Sequence, residues 1–232
     1  MIGIIGAMQM EVEGFVAAMT DKTEETSLGL HFTLGKLSGT KAVVVQCSPG
    51  KVNAAFCAGV LLERYHPGLV ISTGVSGGIG EGVHIGDLVV ATSAVQYDYD
   101  TTALGDEKAA VPVWDEEIAY LPVSETHSEI LAKYAEKIYG GVHRGVIATG
   151  DVFVADPARC EQLKADFGAI SCEMETGAIA HVCAAAKTPF CGIRAISDNA
   201  NDSGKVDFMT FARTSAEKVT ALLCAALPEL EK

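Results

Sequence analysis

The stretch Leu69-Val70-Ile71-Ser72-Thr73-Gly74-Val75-Ser76-Gly77-Gly78-Ile79-Gly80-Glu81-Gly82 decides the fold class. Its first five residues are almost continuously apolar, the composition of a strand covered on both faces rather than one with a solvent side. From Thr73 to Gly80 it becomes a glycine-rich turn. Gly74-Val75-Ser76-Gly77-Gly78 has the form G-x-S-x-G, the strand-to-helix elbow that exposes a hydrolase serine. An elbow needs a helix behind it, and here another apolar run follows at residues 88–91. Ser76 is therefore not read as a nucleophile, and the turn is read as a supply of exposed backbone amides.

Outward from this stretch the same kind of run recurs. Residues 2–5, 41–47, 69–73, 88–91, 142–149, 169–172 and 190–196 read as strands, most of them apolar throughout. Helical patterns lie between. Val52, Phe56 and Val60 recur every four residues, as do Ile130, Tyr134 and Ile138. Phe208, Phe211, Ser215, Val219 and Leu222 form a longer stripe expected to seal a final helix against the sheet. Asp156-Pro157 reads as an N-cap followed by proline at the first helical position, with Gly168 at the exit. Residues 96–121 show no period and are expected to be a functional or interface loop. No repeat or linker interrupts the pattern, so residues 1–232 read as one α/β domain.

Composition excludes several classes. Seventeen Lys+Arg against thirty Asp+Glu give a net charge of -13, which disfavours a nucleic acid or an anionic membrane surface as partner. The longest uncharged apolar stretch, residues 67–80, is too short to span a bilayer, and Met1 to Gly6 has no basic leader. Seven cysteines without a C-x-x-C read as free thiols in a reducing cytoplasm, with no metal site. Gly50-Lys51 lacks the remaining P-loop residues, and no G-x-G-x-x-G is present, so no nucleotide cofactor is expected. His181, in a helical apolar run, reads as a satisfied core histidine.

What remains is a set of acids at strand ends, where α/β proteins place their sites. Glu11 follows the first strand, Glu173 and Glu175 stand where a strand hands over to a helix, and Asp198 ends the last strand. Singly, each has a structural explanation: a helix N-terminus for Glu173 and Glu175, a turn for Asp198, a solvated helix face for Glu11. Together they point to a site.

The residues also carry a resemblance. Ile2-Gly3-Ile4-Ile5-Gly6-Ala7-Met8 with Glu11, Thr73-Gly74 with Ser76-Gly77-Gly78, Gly150-Asp151 with Phe153, Glu173-Met174-Glu175 ahead of Ala178-Ile179-Ala180-His181-Val182-Cys183, and Arg194-Ala195-Ile196-Ser197-Asp198 follow one another in the order of one family. Over essentially its whole length the chain resembles the 5′-methylthioadenosine/S-adenosylhomocysteine nucleosidases. That resemblance implies the nucleoside phosphorylase/nucleosidase fold, a central mixed β-sheet flanked by helices, in a homodimer. It implies that Asp198 protonates the purine at N7 and that Glu11 activates water at the anomeric carbon. Glu175 would hold the ribose 2′-hydroxyl, Met174 would lie under the sugar, and Glu173 would serve the ribose or order its surroundings. Phe153 would stack on the purine and the backbone of Val154 read its edge, with Ser76, Gly77, Ser197 and Phe208 close by. The loop from Asp198 to Gly204 would order when ligand binds.

The chain departs from the family at one end of the site. Leu104 replaces a phenylalanine, Asp106 a tyrosine and Thr101 a valine, while Pro112 is kept; in the family this loop lines the partner subunit's pocket for the 5′ substituent. Pro49 stands where the family has an aliphatic residue. Glycosidic cleavage is expected to be kept and the 5′ preference to have shifted. Water is favoured over phosphate because neither residues 7–15 nor residues 71–74 carry a cation, and Glu11, Glu173 and Glu175 without an arginine would repel a dianion. The alternatives are a futalosine or aminodeoxyfutalosine nucleosidase, a purine nucleoside phosphorylase and a non-catalytic nucleoside-binding protein.

Overall fold

Alternation within the first strand sets the layering. In β1 (Ile2–Gly6) the side chains of Ile2 and Ile4 point to one face and Ile5 to the other, all buried. The structure, a computed structural model, describes residues 1–200 and 204–232, with residues 204–206 described in their backbone alone. After β1 come α1 (Gln9–Ala18), β2 (Thr20–Ser27), β3 (Leu30–Leu37), β4 (Thr40–Gln46), α2 (Lys51–Tyr65), β5 (Leu69–Gly78) and β6 (Leu88–Gln96). A 3-10 turn (Thr102–Leu104), the short strands β7 (Val111–Val113), β8 (Glu116–Ile118) and β9 (Leu121–Pro122), and α3 (Glu125–Tyr139) follow. The chain continues through β10 (His143–Thr149), α4 (Pro157–Phe167), β11 (Ala169–Glu173), α5 (Thr176–Ala185), β12 (Phe190–Asp198) and α6 (Gly204–Leu230).

The strands form one mixed sheet in the order β11-β10-β6-β12-β5-β1-β4-β3-β2, as expected of a central mixed β-sheet flanked by helices. Ile2, Ile4, Leu69, Ile71, Cys191 and Ile193 pack on one face under α1, α3 and α6. Ile5, Val43, Val45 and Val70 pack on the other under α2 and α5. β11 also pairs antiparallel with the end of β5, Ser171 opposite Gly78 and Cys172 opposite Gly77, which curls that part of the sheet back on itself.

This pairing corrects one expectation. The segment from Thr73 to Gly78 is not a turn; it continues β5, because β11 and β12 both bond its glycine-rich end. Likewise β6 runs on to Gln96, and the region read as an aperiodic loop contains the β7–β8 hairpin. The strands β2 and β3 were not expected. In α2 only Val60 of the expected apolar stripe packs against the core. Val52 is 79% and Phe56 47% exposed, and Ala54, Cys57, Ala58 and Leu61 pack inward instead. In α6 the inward stripe is Ser215, Val219 and Leu222 with Ala212 and Ala216, while Phe211 points outward at 39% exposure. The caps of α4 stand as read: Asp156 accepts from the Ala158 amide at 3.0 Å, Pro157 opens the helix and Gly168 closes it in the left-handed conformation.

Candidate active site

The ends of β1, β5, β11 and β12 surround a cavity of about 160 Å³. Glu11, Asp198, Glu173, Met174, Glu175, Phe153, Val154, Ser76, Gly77, Ser197, Phe208 and Pro49 all line it, so the structure brings these expected residues together. Leu104, Thr101 and Pro112 do not line it. Leu104 lies on the surface, 82% exposed. Asn201 to Ser203, within the loop expected to order on ligand binding, lie outside the described residues.

Glu11 occupies the third position of α1, where free amides at the helix start favour a carboxylate. It is buried, not a solvated helix position. One oxygen accepts from the amides of Ala7 and Met8, each at 2.8 Å, and the other from the Val75 amide at 2.9 Å. Burial raises its pKa, against the charge of Arg194 and these backbone bonds. The neighbouring Gly74 has φ +146°, and a Cβ there would sit 2.3 Å from a Glu11 carboxylate oxygen and 2.5 Å from Arg194 Nη1. Only glycine lets β5 pass this close.

Asp198, which lines the same cavity, ends β12. The register against β5 shifts between Ile196 and Asp198, an irregularity that re-aims the chain at the sheet edge. Its carboxylate accepts from the Ala200 amide and the Ser197 hydroxyl, both at 2.9 Å. Burial again pushes the carboxyl above the usual range, and these two bonds oppose the shift. A carboxyl shifted in this direction is a better proton donor to a departing base than an ordinary one.

Beside Glu11 lies a buried ionic cluster. Arg194 Nη2 pairs with Glu173 at 2.5 Å and approaches Glu175 at 3.7 Å. Its other bonds go to Ser72 Oγ, Thr73 O and Thr176 Oγ1. Glu173 also accepts from the amides of Glu175 and Thr176, capping α5, and from the Thr149 hydroxyl. Glu173 therefore orders the site rather than offering a free carboxylate. Glu175 accepts from the Gly50 amide at 3.0 Å, and burial, with the charge of Glu173, pushes its pKa up to about 8.

The expectation that no arginine stands among these acids is corrected, because Arg194 lies in their midst. Its signal was legible as an arginine inside an otherwise apolar strand, which demands buried partners. It does not line the cavity, and among the described lining residues there is no lysine or arginine. Met8, Val75, Val152 and Cys172 also line the cavity without having been singled out as site residues. The buried Ser76 Oγ has no hydrogen-bond partner among the described residues. Phe153 and Phe208 meet edge to face at the cavity with centroids 5.8 Å apart. His181 lies off the site, with ring nitrogens on Gln96 and the Pro112 carbonyl.

A sequence model described as the phosphorylase superfamily matches residues 1–228. The chain is 38% identical over 231 residues to a 5′-methylthioadenosine/S-adenosylhomocysteine nucleosidase of Actinobacillus succinogenes, covering 99% of each chain. Its structure is similar to that of S-adenosylhomocysteine nucleosidase from Streptococcus pyogenes in complex with 5-methylthiotubericidin, with TM-score 0.94 and 30% identity over 99% of this chain and 96% of that one. It is also similar to futalosine hydrolase of Helicobacter pylori, with TM-score 0.93 and 29% identity over 98% and 97%.

Proposed function

This chain belongs to the phosphorylase superfamily, and from that premise we propose that it hydrolyses the N-glycosidic bond of 5′-methylthioadenosine, S-adenosylhomocysteine and similar 5′-substituted adenosines, releasing adenine. The observation that supports this most is the pair of buried carboxyls, Glu11 and Asp198, on one cavity. Asp198 gives a proton to purine N7 as the bond between N9 and the anomeric carbon breaks, so adenine leaves neutral. Glu11 takes a proton from water as the water oxygen bonds the anomeric carbon. Glu175 holds the ribose 2′-hydroxyl, Met174 lies under the sugar, and Glu173 keeps Glu175 and Arg194 in place. Phe153 and Phe208 cover the purine, the Val154 backbone reads its edge, and Ser76, Gly77 and Ser197 complete the wall, with Pro49 toward the 5′ end. Arg194 spends its donors on protein groups, which leaves an entering phosphate no cation and favours water.

The working unit in this reading is a cytoplasmic homodimer of single-domain chains spanning residues 1–232. Leu104, Thr101 and Pro112 close the 5′ end of the pocket in the other subunit, which accounts for their position away from their own cavity. Incubation with methylthioadenosine, with and without phosphate, should release adenine at the same rate. Glu11→Gln and Asp198→Asn should each slow release by about 100- to 10,000-fold. Turnover like that of the unaltered protein in both variants would overturn the roles, and a rate that rises with phosphate would indicate a phosphorylase. The likeness to a futalosine hydrolase and the departures at Pro49 and Leu104 favour aminodeoxyfutalosine as the second substrate to assay.

A further inference from the structure

Three loops meet beside the cavity in a closed ring of polar bonds. Asp98, just past β6, pairs through one oxygen with Lys51 Nζ at 2.6 Å. Its other oxygen accepts from the Asp151 amide at 2.9 Å. The Asp151 carboxylate in turn accepts from the Lys51 amide at 2.7 Å, which closes the ring. The side chains of Asp98 and Lys51 are 24% and 18% exposed, so their pairing is screened less than that of Lys36 and Asp21, whose side chains are 48% and 68% exposed.

Two of the three arms of the ring, those of Lys51 and Asp151, continue directly into the cavity wall. One residue before Lys51, the Gly50 amide donates to Glu175 at 3.0 Å, and Pro49 lines the cavity. Immediately after Asp151, Val152, Phe153 and Val154 line it too. Gly50 has φ +101°, and a Cβ there would come within 3.2 Å of the Asp151 carboxylate, so the ring is threaded through a position that favours glycine. We propose that Asp98 is a positioning residue, a latch that holds the Pro49–Gly50 and Val152–Val154 walls at the spacing the nucleoside needs. It touches no substrate and acts through Gly50, Glu175 and Phe153. The inference rests on the nucleosidase reading above and deepens it.

A surface ion pair with no such role would alter thermal stability and leave substrate affinity alone. The test compares Asp98→Ala and Asp98→Asn with Lys36→Met, which breaks a pair remote from the cavity. Steady-state kinetics with methylthioadenosine and melting temperature are measured for each. Asp98→Ala should raise KM about ten-fold with kcat within about two-fold, the pattern of lost ground-state positioning through charge-assisted bonds. Asp98→Asn, which keeps one acceptor oxygen, should fall between, and Lys36→Met should leave KM unchanged. If Asp98→Ala does not fold, the KM of Asp98→Asn decides. Unaltered KM in the Asp98 variants of an active enzyme would overturn the latch alone. Absence of adenine release by the unaltered protein would overturn the nucleosidase reading and the latch with it.

Discussion

Arg194 lies at 1% exposure in a strand built, apart from the terminal Asp198, from apolar and small residues, and it faces Glu11, Glu173 and Glu175. One guanidinium serves three carboxylates, and their support from the protein is unequal. Glu173 has the direct ion pair and two amides, and Glu11 has three amides, while Glu175 has one amide and a longer approach to Arg194. Burial is the main cause of the rise of the Glu175 pKa from 4.5 to about 8; the charge of Glu173 adds to it, and Arg194 and the single amide oppose it. The sign of its effect on stability follows. Below pH 4.5 the group is protonated in both folded and unfolded chains. Between 4.5 and about 8 the unfolded chain ionises first, so stability falls as pH rises, and above about 8 the loss is complete. Glu175→Gln should remove this dependence: its melting temperature minus that of the unaltered protein should grow from pH 5 to 8 and then level off. Parallel curves across that range would show that Glu175 does not titrate there. The acids were legible as residues at strand ends; their division of labour was not, because it depends on which amides and which cation each one meets.

Helix starts and strand ends do the positioning. Glu173 finishes β11 and caps α5 in one step, accepting the amides of Glu175 and Thr176 while holding Arg194. Glu173→Ala should therefore do more than remove a cap, whose loss alone costs about 1 kcal/mol. It also removes the direct ion-pair partner of a buried guanidinium, and the expected destabilisation is about 3–5 kcal/mol by denaturant melts. Asp156→Ala at the exposed cap of α4 should cost only about 1 kcal/mol. Equal losses in the two variants would mean that the buried pair contributes nothing beyond capping. The α4 caps and seven of the strands were readable because their signals are local. β2 was not: Thr20-Asp21-Lys22-Thr23-Glu24-Glu25-Thr26-Ser27 has no apolar face, and its side chains are exposed but for a half-buried Ser27. It forms because β3 offers a free edge, and its charges make a poor template for further pairing. The β11–β5 closure was also hidden, since Gly77 and Cys172 are far apart in sequence and only the assembled sheet brings them together.

At the scale of the whole molecule, the misread stripe of α2 becomes the informative feature. Val52 and Phe56 lie one turn apart on the outward face of the helix that follows Pro49 and Gly50 from the cavity wall. Scattered exposed apolar residues are ordinary. A helical pair beside the cavity, with Leu104 presented on the surface away from it, is what a protomer prepared for a second copy would show. Burying a side chain of this size contributes about 1.5–3 kcal/mol, enough for a few of them to decide an association. The protein should therefore sediment as a dimer at micromolar concentration. Val52→Glu with Phe56→Glu should yield a folded monomer, since neither side chain supports the core, and its circular dichroism should be unchanged. If Leu104 closes the pocket of the second copy as proposed, the monomer should bind methylthioadenosine about ten-fold or more weakly. Its affinity for adenine, which lacks the 5′ arm, should change far less. A monomeric unaltered protein with full activity, or equal weakening toward adenine and nucleoside, would show instead that each chain builds its pocket alone.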